Sequence, residues 1–365
     1  VRTLFWMFPR GGGGAGAFDW GLLVASFGAA TLFLGTVQAL KQHDAKRLHA
    51  YHSIGQMGYI ILGVGAAHCF LLRGGPVLSS LAVLALVGAM YHTINHAVFK
   101  GLLFLCTGSV QYATGTKDLD RLGGLIRRMP VTATLAAVAS ASIAGVPAFS
   151  GFMSKWAVIA SGLLAGKDAG VFVFFGLIAL MTSAVTLASY VKFFGMTFTS
   201  SGVEWSGGSE PREVGPLMLL PQAALAGIAV LQGLFPWPFV AWILRVFERS
   251  DGSIVQPLFA EAAPWSTIGG SALGIGLFRP GGGAAASAAP VLILALLVAA
   301  GAFALFFRRS CAGATRRTEP WLCGYRDLAD STRYRSRDLY APFKSFMRWT
   351  GGNDRGAPPG GPNHG

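Results

Sequence analysis

Two histidines and a lysine stand four residues apart in the segment YHTINHAVFK: His92, His96 and Lys100. At 100° per residue these positions drift by only about 40° per step, so on a helix they form one stripe along one face. The stripe is about 12 Å long. Histidine titrates near neutrality and buried lysines can titrate in the same range. Side chains in this order could therefore pass a proton along, directly or through one water. The stripe lies inside LSSLAVLALVGAMYHTINHAVFKGLLFLCTGSV, which is otherwise nearly free of charge. Charge at mid-bilayer depth is costly, so each such group needs a partner, a hydrated pocket or a neutral form.

A second lysine, Lys155, lies in AGVPAFSGFMSKWAVIA. Pro147 removes a backbone donor, and Gly145 and Gly151 loosen the chain on either side. The spacing predicts a discontinuous helix with Lys155 just past the break. Broken helices occur at membrane depth where the freed backbone lines protein or water, and they commonly mark ion sites in transporters. A plain proline kink is the alternative.

Apart from helix ends, the apolar spans hold His52, His92, His96, Lys100 and Lys155 and no acid. A single membrane histidine such as His52 reads first as a helix–helix hydrogen-bonding residue. Lys192, close to the end of its span, reads as a lysine that snorkels to the interface. Lys100 sits too deep for that. The stripe itself could be packing, or two of its histidines could ligate a metal, but no carboxylate or cysteine accompanies them in the spans. No metal and no cofactor are expected. The four cysteines, Cys69, Cys106, Cys311 and Cys323, form no CxxC pair, so no iron–sulfur or zinc site is supported and nothing in the chain would carry electrons.

The elements that must position these groups are membrane helices. Of 365 residues 53% are hydrophobic and 12% charged, against about 25% charged in soluble domains. About 20 apolar residues span the hydrocarbon core as a helix, and seven such segments are expected, at about 19–40, 48–72, 78–113, 131–165, 171–197, 215–245 and 290–307. The fold class is all-α, a polytopic transmembrane helix bundle. A long irregular loop with Pro264, Pro280 and GGGAAASAA separates the last two spans, and the final dozen residues read as disordered. The organisation is a preceding helix end and Gly-rich loop at 1–18, the main bundle at 19–200, additional helices and loop at 201–310, and a polar Arg-rich tail at 311–365. Val1 stands where methionine would, and VRTLFWMFPR resembles the end of a helix already under way, so a fragment lacking its N-terminal part is expected.

The net charge of +13 is not a nucleic-acid signature, because eleven of the 29 basic residues fall from Arg308 onward beside a membrane helix. Such flanks set orientation or meet anionic lipid. Loops 41–47 and 114–130 and the tail share one side, the two loops adding Lys41, Lys46, Arg47, Lys117, Arg121, Arg127 and Arg128, whereas the opposite short loops hold mainly Arg73 and Lys167. The positive-inside rule places the first group in the cytoplasm.

Four ordered motifs, QHDAKRLHAYHSIGQMGYIILGVG, YHTINHAVFKGLLFLCTGSV, LDRLGGLIRRMPVTA and GVPAFSGFMSKW, resemble the proton-pumping antiporter-like subunits. These occur in respiratory complex I, Mrp-type Na⁺/H⁺ antiporters and membrane-bound hydrogenases of the hydrogenase-4 and formate hydrogenlyase type. The resemblance covers about residues 1–200, and the tail EPWLCGYRDLADSTRYRSRDLYAPF looks like the ending of hydrogenase-4 component B and its relatives. It implies a fold of two inverted five-helix repeats, each with one discontinuous helix, of which this chain holds the second, from about 19 to 197. The acidic residue and lysine of the first repeat would then be missing, with about 240 residues ahead of this chain if eight helices precede it. It further implies Lys100 as the central-axis lysine, His92 and His96 as relay groups beside it, and Lys155 as the ionisable residue of the discontinuous helix near the outer exit. Many hydrogenase-type relatives carry glutamate there, so Lys155 is closer to one complex I subunit, although that subunit's long lateral helix has no counterpart here. The expected partners are other membrane subunits, lipid, and H⁺ or Na⁺, in a bacterial or archaeal cell membrane. A secondary antiporter and a non-functional scaffold are the alternatives.

Overall fold

A computed structural model describes Phe5 and residues 19–200, 210–249, 267–271, 274–279, 284–310 and 334–351. Helix α1 spans Trp20–Lys41, α2 Ala45–Arg73 and α3 Pro76–Thr114. Then come α4 at Pro130–Ala144, α5 at Ser150–Leu164 and α6 at Gly170–Phe194, the last closed by a π-turn at Gly195–Thr199. Helix α7 covers Pro216–Leu234, α8 Pro236–Arg249, α9 Pro290–Ser310 and the short α10 Ala341–Phe346.

Acids begin three of these helices. Asp19 accepts from the Leu22 N–H at the start of α1 (2.8 Å), and Asp44 from the Arg47 N–H at the start of α2 (2.9 Å). Glu213 reaches across to accept from the Val131 and Thr132 N–H groups of α4. Each carboxylate meets orphan donors and the positive end of a helix dipole, at the ends of the bundle and not within it.

Among the described residues, α1, α2, α3, α6 with its π-turn, α7 and α9 are long and apolar enough to cross a membrane. The expected span at 131–165 is two helices, α4 and α5, of 15 residues each, so the predicted break is present. The expected span at 215–245 is divided. Pro236 opens α8, whose Val240 and Ile243 pack in one cluster with Ile275 and Leu277 while Trp242 and Arg245 stay outside. This amphipathic helix does not continue α7 but turns against a small sheet. The sheet corrects the expected irregular loop: β1 (Thr267–Ser271), β2 (Gly274–Phe278) and β3 (Ala284–Ala288) form an antiparallel sheet in that order. Cys311 and Cys323, the Gly-rich loop of 10–18 and the final dozen residues lie outside the described residues.

The apolar core falls into two clusters. One takes α2 from Tyr59 onward, α3 up to Tyr91, α5 from Met153 and α6 up to Ala179. The other takes Leu48 of α2, α3 from Phe99, α4 up to Ile143 and α6 from Tyr190. The skipped stretches hold the buried polar groups His49, His52, Gln56, His92, Asn95, Ser150, Thr182, Thr186 and Ser189. The break between α4 and α5 falls at the same level. A polar layer thus divides the bundle between two greasy halves, and the stripe of the sequence lies in it.

Candidate functional site

Lys155 is held by the break. Gly145 ends α4 with φ +80°, a left-handed conformation that glycine adopts without strain. Its N–H and that of Val146 satisfy carbonyls of the preceding turn. The Ile143 carbonyl, also in that last turn, accepts from Lys155 Nζ at 2.7 Å, and Ser183 Oγ lies at 3.5 Å. An ammonium there meets the negative end of the α4 dipole. Gly151 lets α5 approach: a Cβ there would lie 2.0 Å from the Ser142 carbonyl oxygen. The Lys155 ammonium also sits 5.1 Å from the centroid of the Tyr59 ring, a cation–π distance.

The stripe on α3 docks onto this site. His92 Nδ1 pairs with Ser154 Oγ at 2.9 Å, and Asn95 Nδ2 donates to the Ser150 carbonyl at 2.6 Å and to Ser154 Oγ at 3.2 Å. The Tyr59 ring lies 5.4 Å from that of His92, so it touches both His92 and Lys155. His92 and Lys100 are buried, while His96 is half-buried. The His92 and His96 ring centroids are 6.5 Å apart, with Phe99 packed against both rings. Lys100 Nζ donates to the His49 carbonyl at 2.6 Å. The structure therefore brings His92, His96 and Lys100 into one layer with Lys155, at opposite ends of a buried polar track.

Three residues take places the sequence did not give them. His49, at the edge of the expected span 48–72, is fully buried, with Nε2 2.8 Å from Thr107 Oγ1 and Nδ1 3.2 Å from the Tyr190 hydroxyl. Lys192 does not snorkel: it is 1% exposed and donates to the Leu40 and Gln42 carbonyls, both at 2.6 Å. These carbonyls close α1, so the lysine caps that helix. His52 was expected to hydrogen-bond between helices, yet both of its buried ring nitrogens lack a protein partner. It instead packs against the Tyr190 ring, 5.0 Å between centroids. The spacing of His49 and His52, three apart on α2 and facing the known stripe, was the signal available.

Neither Lys100 nor Lys155 meets a carboxylate among the described residues, and no group of His, Cys, Asp or Glu there could hold a metal ion. Chemically, the arrangement offers two buried lysines linked by imidazoles, hydroxyls and an aromatic ring. Groups of these kinds can exchange protons directly or through water.

Residues 16–182 match the family described as NADH:quinone oxidoreductase/Mrp antiporter, TM. The chain belongs to this family. Over 247 residues it is 36% identical to the Na⁺/H⁺ antiporter subunit A1 of Staphylococcus saprophyticus, covering 65% of this chain and 29% of that protein. Over 311 residues it is 32% identical to hydrogenase-4 component B of Escherichia coli K12, covering 84% of this chain and 44% of that protein. Among solved structures it resembles a chain of the membrane-bound sulfane sulfur reductase, an archaeal respiratory membrane complex, with a TM-score of 0.65 and 25% identity over 90% of this chain and 48% of that one. The chain thus spans less than half the length of each. It is a multi-pass membrane subunit of the antiporter-like family, with both lysines inside the matched segment.

Proposed function

We propose that this antiporter-like chain translocates protons as a membrane subunit of a multisubunit redox-driven complex of the hydrogenase-4, formate hydrogenlyase or NADH:quinone oxidoreductase kind. The observation that carries the reading is the pair Lys100 and Lys155, both buried, both held by backbone carbonyls and not by acids, at the two ends of one polar layer. Redox chemistry in partner subunits would shift the protonation of one lysine, and repulsion between the two charges would drive the other to release its proton. Loops 41–47 and 114–130 and residues 334–351 of the tail lie together at one end of the bundle, where Asp120 and His43 meet Ser336. Their basic residues support a cytoplasmic location for that end, and on this reading Lys100 would be the inner and Lys155 the outer station.

The test uses the native assembly in liposomes, with proton flux read by a trapped pH dye and electron transfer read separately. Lys100→Ala and Lys155→Ala should each abolish most pumping and leave electron transfer measurable. Wild-type pumping in both variants would refute the assignment. A Na⁺/H⁺ exchanger of the Mrp kind is the second reading, favoured by the 36% identity to an antiporter subunit. Sodium-dependent flux without any redox partner would establish it.

A further inference from the structure

The α2 helix carries a polar row that the function above does not use. His49, His52, Gln56 and Tyr59 follow one another at spacings of three, four and three, so they lie on one face over about 15 Å. All four are buried. The row runs alongside the α3 stripe in the opposite direction: the His49 carbonyl meets Lys100 at one end, and Tyr59 meets Lys155 and His92 at the other. Between these anchored ends the polar atoms find no protein partner. His52 Nδ1 and Nε2, Gln56 Nε2 and Oε1, His92 Nε2, Asn95 Oδ1 and His96 Nε2 are all buried and unpartnered.

Seven such atoms left unsatisfied would together cost more than a fold of ordinary stability can bear. Internal water must meet them. At about three hydrogen bonds per buried water, two or three waters would suffice. His96 is half-buried and His52 is not exposed at all.

We propose that His52 is the proton carrier that links Lys100 to Lys155, on a hydrated track along α2 that runs beside the His92–His96 pair. This rests on the proton-translocating reading and names a residue that reading lacks. In the step, an ammonium proton of Lys100 passes through water to one ring nitrogen of His52. The opposite ring nitrogen releases its own proton through water toward the neutral amine of Lys155. One proton enters and one leaves, and the ring returns to its starting tautomer by rotation or by a second transfer. Gln56, one turn further along, cannot carry a proton and orients the water.

The test is proton flux in the reconstituted native assembly with His52→Ala, with and without added imidazole, beside His96→Ala and Lys100→Ala. His52→Ala should lower flux about a hundredfold, the scale of a lost proton-transfer group. Millimolar imidazole entering the vacated site should restore most of it, and His96→Ala should cost less. Packing alone predicts no rescue by a diffusible base. Wild-type flux in His52→Ala, or a loss that imidazole does not relieve, overturns the role of His52. If Lys100→Ala also transports normally, the proton-translocating reading itself fails. If Lys100→Ala is inactive, only the α2 track is lost.

Discussion

Lys155→Arg separates the structural task of Lys155 from the proton-releasing role proposed for it. The first is structural: its ammonium satisfies the Ile143 carbonyl at the end of α4, with Ser183 Oγ nearby. Removing the side chain orphans that carbonyl, at about 1–3 kcal/mol, and leaves a cavity where the stem packs. Lys155→Ala should therefore destabilise the bundle by about 2–5 kcal/mol in all. Arginine keeps a cation and several donors within reach of the same carbonyl, so Lys155→Arg should cost only the packing of its larger head, about 1–3 kcal/mol, and less than Lys155→Ala. The second, under the proposed function, is to lose a proton. Reference pKa values of about 10.4 for lysine and 12.5–13.8 for arginine make the neutral form about 10²–10³ times rarer in arginine in the same surroundings. Flux limited by the neutral amine should fall by that factor. Thermal unfolding of the purified assembly reads the first task, and dye-reported flux in liposomes reads the second. Wild-type flux in Lys155→Arg would show that this group never has to deprotonate. A Lys155→Arg protein no more stable than Lys155→Ala would show that the carbonyl contact is not what holds the break.

Lys192→Met should destabilise the bundle by about 2–4 kcal/mol, because the Leu40 and Gln42 carbonyls lose their donor. A snorkelling lysine would cost under about 0.5 kcal/mol, so a small shift in thermal midpoint would contradict the capping role. Gly151→Ala should cost about 3 kcal/mol, because the added carbon falls on the Ser142 carbonyl oxygen, and an unchanged midpoint would show that α4 and α5 do not approach so closely. The segment 334–351 should dock more firmly as pH rises. Lys344 donates to the Ser336 and Arg337 carbonyls, and burial pulls its amine down to about 8, against opposing pulls from Asp120 and Asp338. Between about pH 8 and the ordinary lysine value near 10.4 the undocked segment binds more protons than the docked one, so raising pH across that window favours docking. Burial raises the Tyr340 phenol and sets the upper limit of the effect. The mobility of a spin label at exposed Ser345 should fall across that window and lose the trend in Lys344→Met.

The break was legible because its causes are local. Pro147, Gly145 and Gly151 each act on their own backbone, and the structure puts the interruption between Ala144 and Ser150. The i, i+4, i+8 stripe was legible for the same reason. His49 was not, since α2 begins at Ala45, a few residues ahead of the apolar run, and that shift moves His49 from the rim into the core. Lys192 depends on carbonyls about 150 residues away, which no local pattern reports. The sheet escaped notice because its strands, TIGGS, GIGLF and AAASA, are made of small residues without clear alternation. The start of α8 did leave a mark: Pro236 at its first position is a common opening, and a helix that restarts there need not continue the span before it.

The placement of charge follows one rule that bears on how protons could move. Acids sit at helix N-termini, as Asp19, Asp44 and Glu213 do. Four well-buried lysines donate instead to backbone carbonyls: Lys41 to Met347 and Gly351, Lys100 to His49, Lys155 to Ile143, and Lys192 to Leu40 and Gln42. A carboxylate facing a buried lysine would hold the ammonium charged, because losing the proton would leave an unpaired buried anion behind. A carbonyl is neutral, and its hold on the cation is weaker. The His49 carbonyl also accepts from Ser53 Oγ at 3.1 Å, so it stays partnered when Lys100 becomes an amine. Deprotonation of Lys100 therefore strands no charge and orphans no acceptor. Two lysines arranged this way remain coupled mainly by repulsion between their own charges, so a proton gained by one makes the other's easier to lose.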